Sequence, residues 1–187
     1  VLHALEAANG GAQAINQSAL QTLVDNITQA LSHISAAATD NTAVSGALTP
    51  TTYEIAGVTG VSASNVGLVN QMLDTLAIDD NAVDSALKLQ SLVDALAKIR
   101  SLADGTDGTG APLNNADITA LGLSEVLRLD TDRNLFNDIL DNAGSASVNS
   151  ATNILNLARI AERVVQTGLG QTPATPLTPQ DLQAIGL

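Results

Sequence analysis

One phrase recurs along this chain and constrains its fold more than any other feature. Leu48-Thr49-Pro50 opens a segment that runs to Gly57-Val58. Leu113 opens one that runs to Gly122-Leu123, and Leu177-Thr178-Pro179 opens one that runs to Gly186-Leu187. The starts are separated by 65 residues (48 to 113) and 64 residues (113 to 177). A fixed period of this size is the mark of a tandem array. Such arrays supply length, surface or spacing more often than a single reaction centre.

The phrase reads as a short helix with marked ends. Thr178 is a good N-cap, Pro179 suits the first helical position, and Asp181 stands where an anion favours a helix N-terminus. Gly57, Gly122 and Gly186 then suit the left-handed residue that stops a helix. Tyr53, Ile118 and Leu182 match, as do Ala56, Leu121 and Ile185. The stretch Tyr53 to Val61, with β-branched residues and two glycines, is the one place where extended backbone is a competing expectation.

The rest of the unit repeats too. Ser85, Ala86, Leu89, Leu92, Ile99 and Gly105 match Ser150, Ala151, Ile154, Leu157, Val164 and Gly170, 65 residues on. Leu20 to Asp25 also matches Leu89 to Asp94, at a spacing of 69. Val66, Val69, Met72, Leu73 and Leu76 have the spacing of an amphipathic helix, which Ser64 or Asn65 can cap and Asp79-Asp80-Asn81 ends. A longer helix follows through Val83, Leu89, Leu92, Val93, Leu96, Ile99 and Leu102. In the preceding unit its counterparts are Leu20, Leu23, Val24, Ile27, Leu31 and Ile34.

Asp40 to Ala47, Asp104 to Pro112 and Gly168 to Pro176 are rich in Gly, Thr, Ser or Pro and read as joints. The expected fold is all-α, a tandem array of small helical units of about 65 residues. Residues 1–47 form the back of one unit, beginning inside a helix at Val1. Residues 48–112 and 113–176 are whole units, and 177–187 starts the next. A unit this small is near the lower limit for standing alone, so neighbouring units or identical chains are the expected partners.

Composition narrows the function. There are 19 acidic and 7 basic residues, for a net charge of −12, and no Lys or Arg precedes Lys88. That balance disfavours nucleic acid and anionic membranes. No apolar run approaches the ~20 residues needed to cross a bilayer, so membrane insertion is not expected. With one Phe, one Tyr and no Trp, aromatic anchors are scarce. With no Cys, disulfides and thiolate chemistry are excluded.

Candidate sites are few. Asp130, Asp132 and Asn134, with Asp138 and Asp141, echo the alternating ligands of an EF-hand calcium loop, though Leu135 stands where glycine is needed and Asp141 where the bidentate Glu belongs. The simpler reading is that Asp130 or Thr131 caps a helix. Asp104 to Gly110 faintly resembles calcium-binding glycine–aspartate loops but lacks their repeated copies. His3 and His33 have no partner at ligand spacing. Gly57-Val58-Thr59-Gly60 lacks the Lys of a phosphate loop, and no serine sits in Gly-x-Ser-x-Gly. Glu125 and Glu162 are paired with no second carboxylate in a shared motif. No catalytic residue, and no cofactor beyond that calcium candidate, is expected.

Tyr53-Glu54-Ile55-Ala56-Gly57-Val58-Thr59-Gly60-Val61 and Leu177-Thr178-Pro179-Gln180-Asp181-Leu182-Gln183-Ala184-Ile185-Gly186 resemble repeat segments of very large secreted adhesins and matrix proteins of Gram-negative bacteria. The resemblance covers the repeat and implies an extracellular, type I-secreted, cell-surface or biofilm role as stalk or scaffold. The alternatives are a subunit of a self-assembling filament or surface layer, and a calcium-responsive binding module.

Overall fold

The computed structural model describes residues 17–45, 48–75, 78, 80–106, 108 and 110–187. The chain is all-α. Among the described residues there are eight α-helices, two short 3-10 turns and no strand. The helices are α1 (Gln17–Thr39), α2 (Pro50–Ile55), α3 (Val66–Leu73), α4 (Ala86–Leu102), α5 (Asn115–Ala120), α6 (Asp130–Asp141), α7 (Ala151–Gly168) and α8 (Pro179–Ala184). The 3-10 turns are Asp80–Ala82 and Ser145–Val148. Contacts divide the chain into two compact units, one ending at Val93 and one beginning at Asp94. The division falls inside α4, not in the Asp104 to Pro112 segment.

The three short helices are built alike. In α2, Thr49 Oγ1 accepts from the Thr52 N–H at 3.4 Å, and the Thr52 hydroxyl accepts from the Thr49 N–H at 3.2 Å. In α5, Asn114 Oδ1 accepts from the Asp117 N–H at 3.1 Å, and Asp117 Oδ2 accepts from the Asn114 N–H at 2.9 Å. In α8, Thr178 Oγ1 accepts from the Asp181 N–H at 3.2 Å, and Asp181 Oδ2 accepts from the Thr178 N–H at 2.8 Å. Each is a reciprocal capping box, satisfying amide groups that a helix start leaves open. Each helix also closes through a left-handed glycine: Gly57 at φ 83°, Gly122 at 68° and Gly186 at 84°. Beyond it, the Val58, Leu123 and Leu187 N–H groups reach back to the Tyr53, Ile118 and Leu182 carbonyls, at 2.9 Å in all three. The stretch from Tyr53 to Val61 is therefore a helix end and a turn. The capped, glycine-stopped geometry overrides its β-branched residues.

The unit that ends at Val93 packs α1 against α2 and against the 3-10 turn Asp80–Ala82. Tyr53, Val69, Met72, Leu73, Leu89 and Leu92 are buried in it. Fully burying side chains of this size stabilises by about 1.5–3 kcal/mol each, before ordering costs. In the second unit α6 packs most extensively on α7, with Phe136, Leu140, Ile154, Leu157 and Ala158 buried.

Burial fixes the register of α1. Leu20 and Val24 are 40% and 39% exposed, whereas Leu89 and Val93 are 0% and 4% exposed, so the 69-residue match pairs unlike environments. Shifted by 65, Ile27, Ala30, Ile34, Ala37 and Ala38 fall on Leu92, Ala95, Ile99, Leu102 and Ala103, and all ten are buried. A slip of four residues moves along nearly the same helix face, which is why the sequence match misleads. The apolar face of α1 is correspondingly narrower than expected, since Leu23 and Leu31 are only half-buried.

Two caps differ from expectation. Asn65 is the N-cap residue of α3 but makes no side-chain cap. Its amide accepts from the Ser62 N–H and donates to the Gly60 carbonyl, both at 2.7 Å, and so holds the loop before the helix. Leu129, not Asp130 or Thr131, is the N-cap residue of α6. The expected helix break at residue 79 and the start at Val1 lie outside the described residues.

A Cβ added at Gly57 would meet nothing within 4 Å, so substitution there tests backbone conformation alone. Gly57→Ala is expected to destabilise the chain by about 1–2 kcal/mol, the cost of a left-handed alanine. Urea unfolding measures it as a lower midpoint at unchanged slope.

Candidate functional site

The calcium candidates lie in the first turn of α6, not in a loop. Asp130 forms an ion pair with Arg133 and is exposed. Asp132 is 3% exposed, and its Oδ2 accepts from the Leu129 N–H at 2.8 Å. Residues two apart on a helix point to nearly opposite sides, so Asp130 and Asp132 do not converge. Asn134 lies on the Asp130 side, and both line an open cleft of ≈ 620 Å³ with Leu113, Asn114, Asn115, Ala116 and Arg133. Asp138 is exposed on the same helix. Among the described residues no three His, Cys, Asp or Glu side chains form a group that could hold a metal ion. His33 is exposed on α1, and His3 lies outside the described residues. Glu125 pairs with Arg128 at 3.1 Å on the surface, and Glu162 accepts from Gln166 at 3.0 Å. No described helix is long and apolar enough to cross a membrane.

What the structure does build is a set of side chains that grip non-helical backbone. Asn70, 6% exposed, donates to the Leu48 carbonyl at 3.0 Å and accepts from the Tyr53 hydroxyl at 2.7 Å. Asn137 does the same work in the second unit. Its Oδ1 accepts from the Leu113 N–H at 2.9 Å and its Nδ2 donates to the Leu113 carbonyl at 3.1 Å. Isoleucine stands at 118 where tyrosine stands at 53, so this amide has no phenol to serve and turns both ends onto Leu113. Burial raises the Tyr53 pKa above its ordinary value, and the charge of Asp74 adds to the effect.

The carboxylate at the end of each middle helix makes a second grip. Asp74 accepts from the Ala43 N–H at 2.5 Å and the Val44 N–H at 2.9 Å. Asp141 accepts from the Gly108 N–H at 2.8 Å. Segments expected to be simple joints are thus tied down by charged acceptors. Gln90 adds a third grip, accepting from the Thr59 N–H at 2.8 Å and donating to the Thr59 carbonyl at 3.2 Å.

These grips expose a likeness that the sequence reading missed. Leu68-Val69-Asn70-Gln71-Met72-Leu73-Asp74 and Leu135-Phe136-Asn137-Asp138-Ile139-Leu140-Asp141 are the same helix. The asparagine follows its gripped leucine by 22 residues in one case and 24 in the other, and the aspartate its gripped amide by 31 and 33. Two extra residues after Gly122 put the second copy out of step with a fixed period.

Cations on the long helices complete the pattern. Lys98 donates to both oxygens of Asp117 at 2.7 Å, and Arg163 reaches both oxygens of Asp181 at 2.9 and 3.0 Å. Arg163 also donates to the Pro176 carbonyl at 3.1 Å. Thr52 occupies the matching position of α2, where the capping box is neutral. A cleft of ≈ 530 Å³ beside the second clamp is lined by Arg159, Glu162, Arg163, Gln166, Thr175 and Asp181, among others.

Arg163, then the Thr178 N–H and hydroxyl, hold the Asp181 pKa down from 3.8 to about 2. A carboxylate depressed on folding contributes its stability above its unfolded value and loses it as pH falls through its folded one. Docking of α8 is therefore expected to be complete above pH ~4 and to be lost as pH approaches about 2. In Arg163→Gln the release should move to higher pH, read from amide chemical shifts of residues 179–187. Asn70→Ala leaves the Tyr53 hydroxyl and the Leu48 carbonyl unserved, at an expected cost of about 1–3 kcal/mol. Adding Tyr53→Phe should recover part of that loss in a double-mutant cycle measured by denaturation.

No protein-family model, curated protein or solved structure matches this chain.

Proposed function

We propose that this chain is a non-enzymatic structural repeat region of a large bacterial surface protein, working outside the cell as a stalk, scaffold or assembly element between cells or in a biofilm matrix. The observation that carries the reading is the same assembly made twice: a capped short helix whose leading leucine is gripped by the asparagine of a middle helix, followed by a long helix. α8 opens it a third time with the same capping box and glycine stop. On this reading residues 48–112 and 113–176 are whole units, and 1–47 and 177–187 are parts of others. The phase of a repeat in sequence is arbitrary, so the division of contacts inside α4 fits the same array.

The side chains that recur are those that cap, grip and pack. Asp130 and Asn134, which line a cleft, have no acidic counterparts between Ser62 and Asn65. Uniform negative charge keeps long chains dispersed, in line with a surface role. The partners on this reading are neighbouring repeats.

Chains lengthened by further copies of residues 113–176 test it by small-angle scattering. The longest dimension should grow by a constant increment per copy. A dimension that scales like that of a compact globule would sink the proposal.

A further inference from the structure

The short helix occurs three times, and its apolar face is covered in two of them. In α2, Tyr53, Ala56 and Val58 are 0%, 0% and 3% exposed; in α5, Ile118, Leu121 and Leu123 are 2%, 0% and 0%. In α8 the matching Leu182 and Ile185 are only half-buried, and Leu187 is 81% exposed. A second, independent observation concerns the backbone. The Leu48 carbonyl is taken by Asn70, and both backbone groups of Leu113 by Asn137. No described residue hydrogen-bonds the N–H or carbonyl of Leu177.

Both gaps have the same shape, that of the missing middle helix. We propose that the face formed by Leu177, Leu182, Ile185 and Leu187 is the seat for the middle helix of a following repeat, one of the Leu-x-Asn-x-x-Leu-Asp type. This rests on the tandem reading above and specifies the contact by which one repeat receives the next. The apolar side chains of that helix cover Leu182 and Ile185, as Tyr53 and Ile118 are covered. Its asparagine takes the N–H and carbonyl of Leu177, as Asn137 takes those of Leu113. The seat is formed before the helix arrives. α8 is already capped and closed, and Arg163 anchors it through Asp181 and the Pro176 carbonyl. Docking therefore orders little new backbone on the receiving side.

The test extends this chain after Leu187 by a second copy of residues 124–176, which is the stretch that follows Gly122-Leu123. Amide exchange at Leu182, Ile185 and Leu187 should slow by about tenfold or more, towards the rates of Ile118, Leu121 and Leu123. Replacing the added copy's counterpart of Asn137 with alanine should reverse part of that protection while the added helices remain. An added copy that is helical by circular dichroism, yet leaves the α8 amides exchanging as before, overturns the seat and spares the tandem reading. An added copy that stays unfolded overturns both. Sedimentation of the unextended chain closes the remaining route: a dimer that Leu182→Glu disperses would place a second copy on this face and overturn the assignment.

Discussion

The structure depends on backbone that is not helical being held by side chains that are. A chain of short helices and glycine-rich connections leaves many amide and carbonyl groups outside any ladder. Burying such groups unpaired is costly, so each buried connection needs a partner. Here the partners are few and placed alike: an asparagine on the leucine that opens each short helix, and an aspartate on the connection before it. The aspartates sit at the C-terminal ends of their helices, where a negative charge is disfavoured by the helix dipole. Accepting backbone N–H groups offsets that cost, since hydrogen bonds to a charged acceptor are the stronger kind.

Polar grips of this sort also explain how a core so poor in aromatics keeps a defined register. Alanine, leucine, valine and isoleucine pack in many ways along a helix face, and a slip of four residues changes little. A bidentate asparagine on one particular leucine does not permit that slip. The Lys98–Asp117 and Arg163–Asp181 pairs act in the same sense, because each links a long helix to the start of the next short one through a carboxylate already committed to a cap. Surface ion pairs add little on their own. These are partly shielded, with Arg163 and Asp181 at 14% and 19% side-chain exposure, and each is geometrically fixed from two sides.

The short helices were legible because every signal acts locally. Thr178, Pro179, Asp181 and Gly186 each speak through a bond within the same few residues. The buried faces of α4 and α7 were legible for the same reason, through periodicity. The grips were not, because their partners lie 22 to 33 residues apart and the spacing changes between copies. Asp130 and Asp132 misled because alternate acids suit a cation loop and a capped first turn equally well on paper. Only the helical backbone separates them, one to solvent and one to the Leu129 amide. The Asp104 to Pro112 segment looked like a free joint because nothing in its own residues announces that Asp141 holds it.

Tyr53 has a use beyond packing. The chain has one tyrosine and no tryptophan, so its near-ultraviolet signal comes almost wholly from a single ring. That ring is buried in the unit that ends at Val93, hydrogen-bonded to Asn70, while its counterpart in the other unit is the silent Ile118. Two units built to nearly one plan therefore carry different optical labels by nature. Emission follows one of them and backbone dichroism follows both, and a mismatch between the two melting curves would separate their unfolding without any added probe.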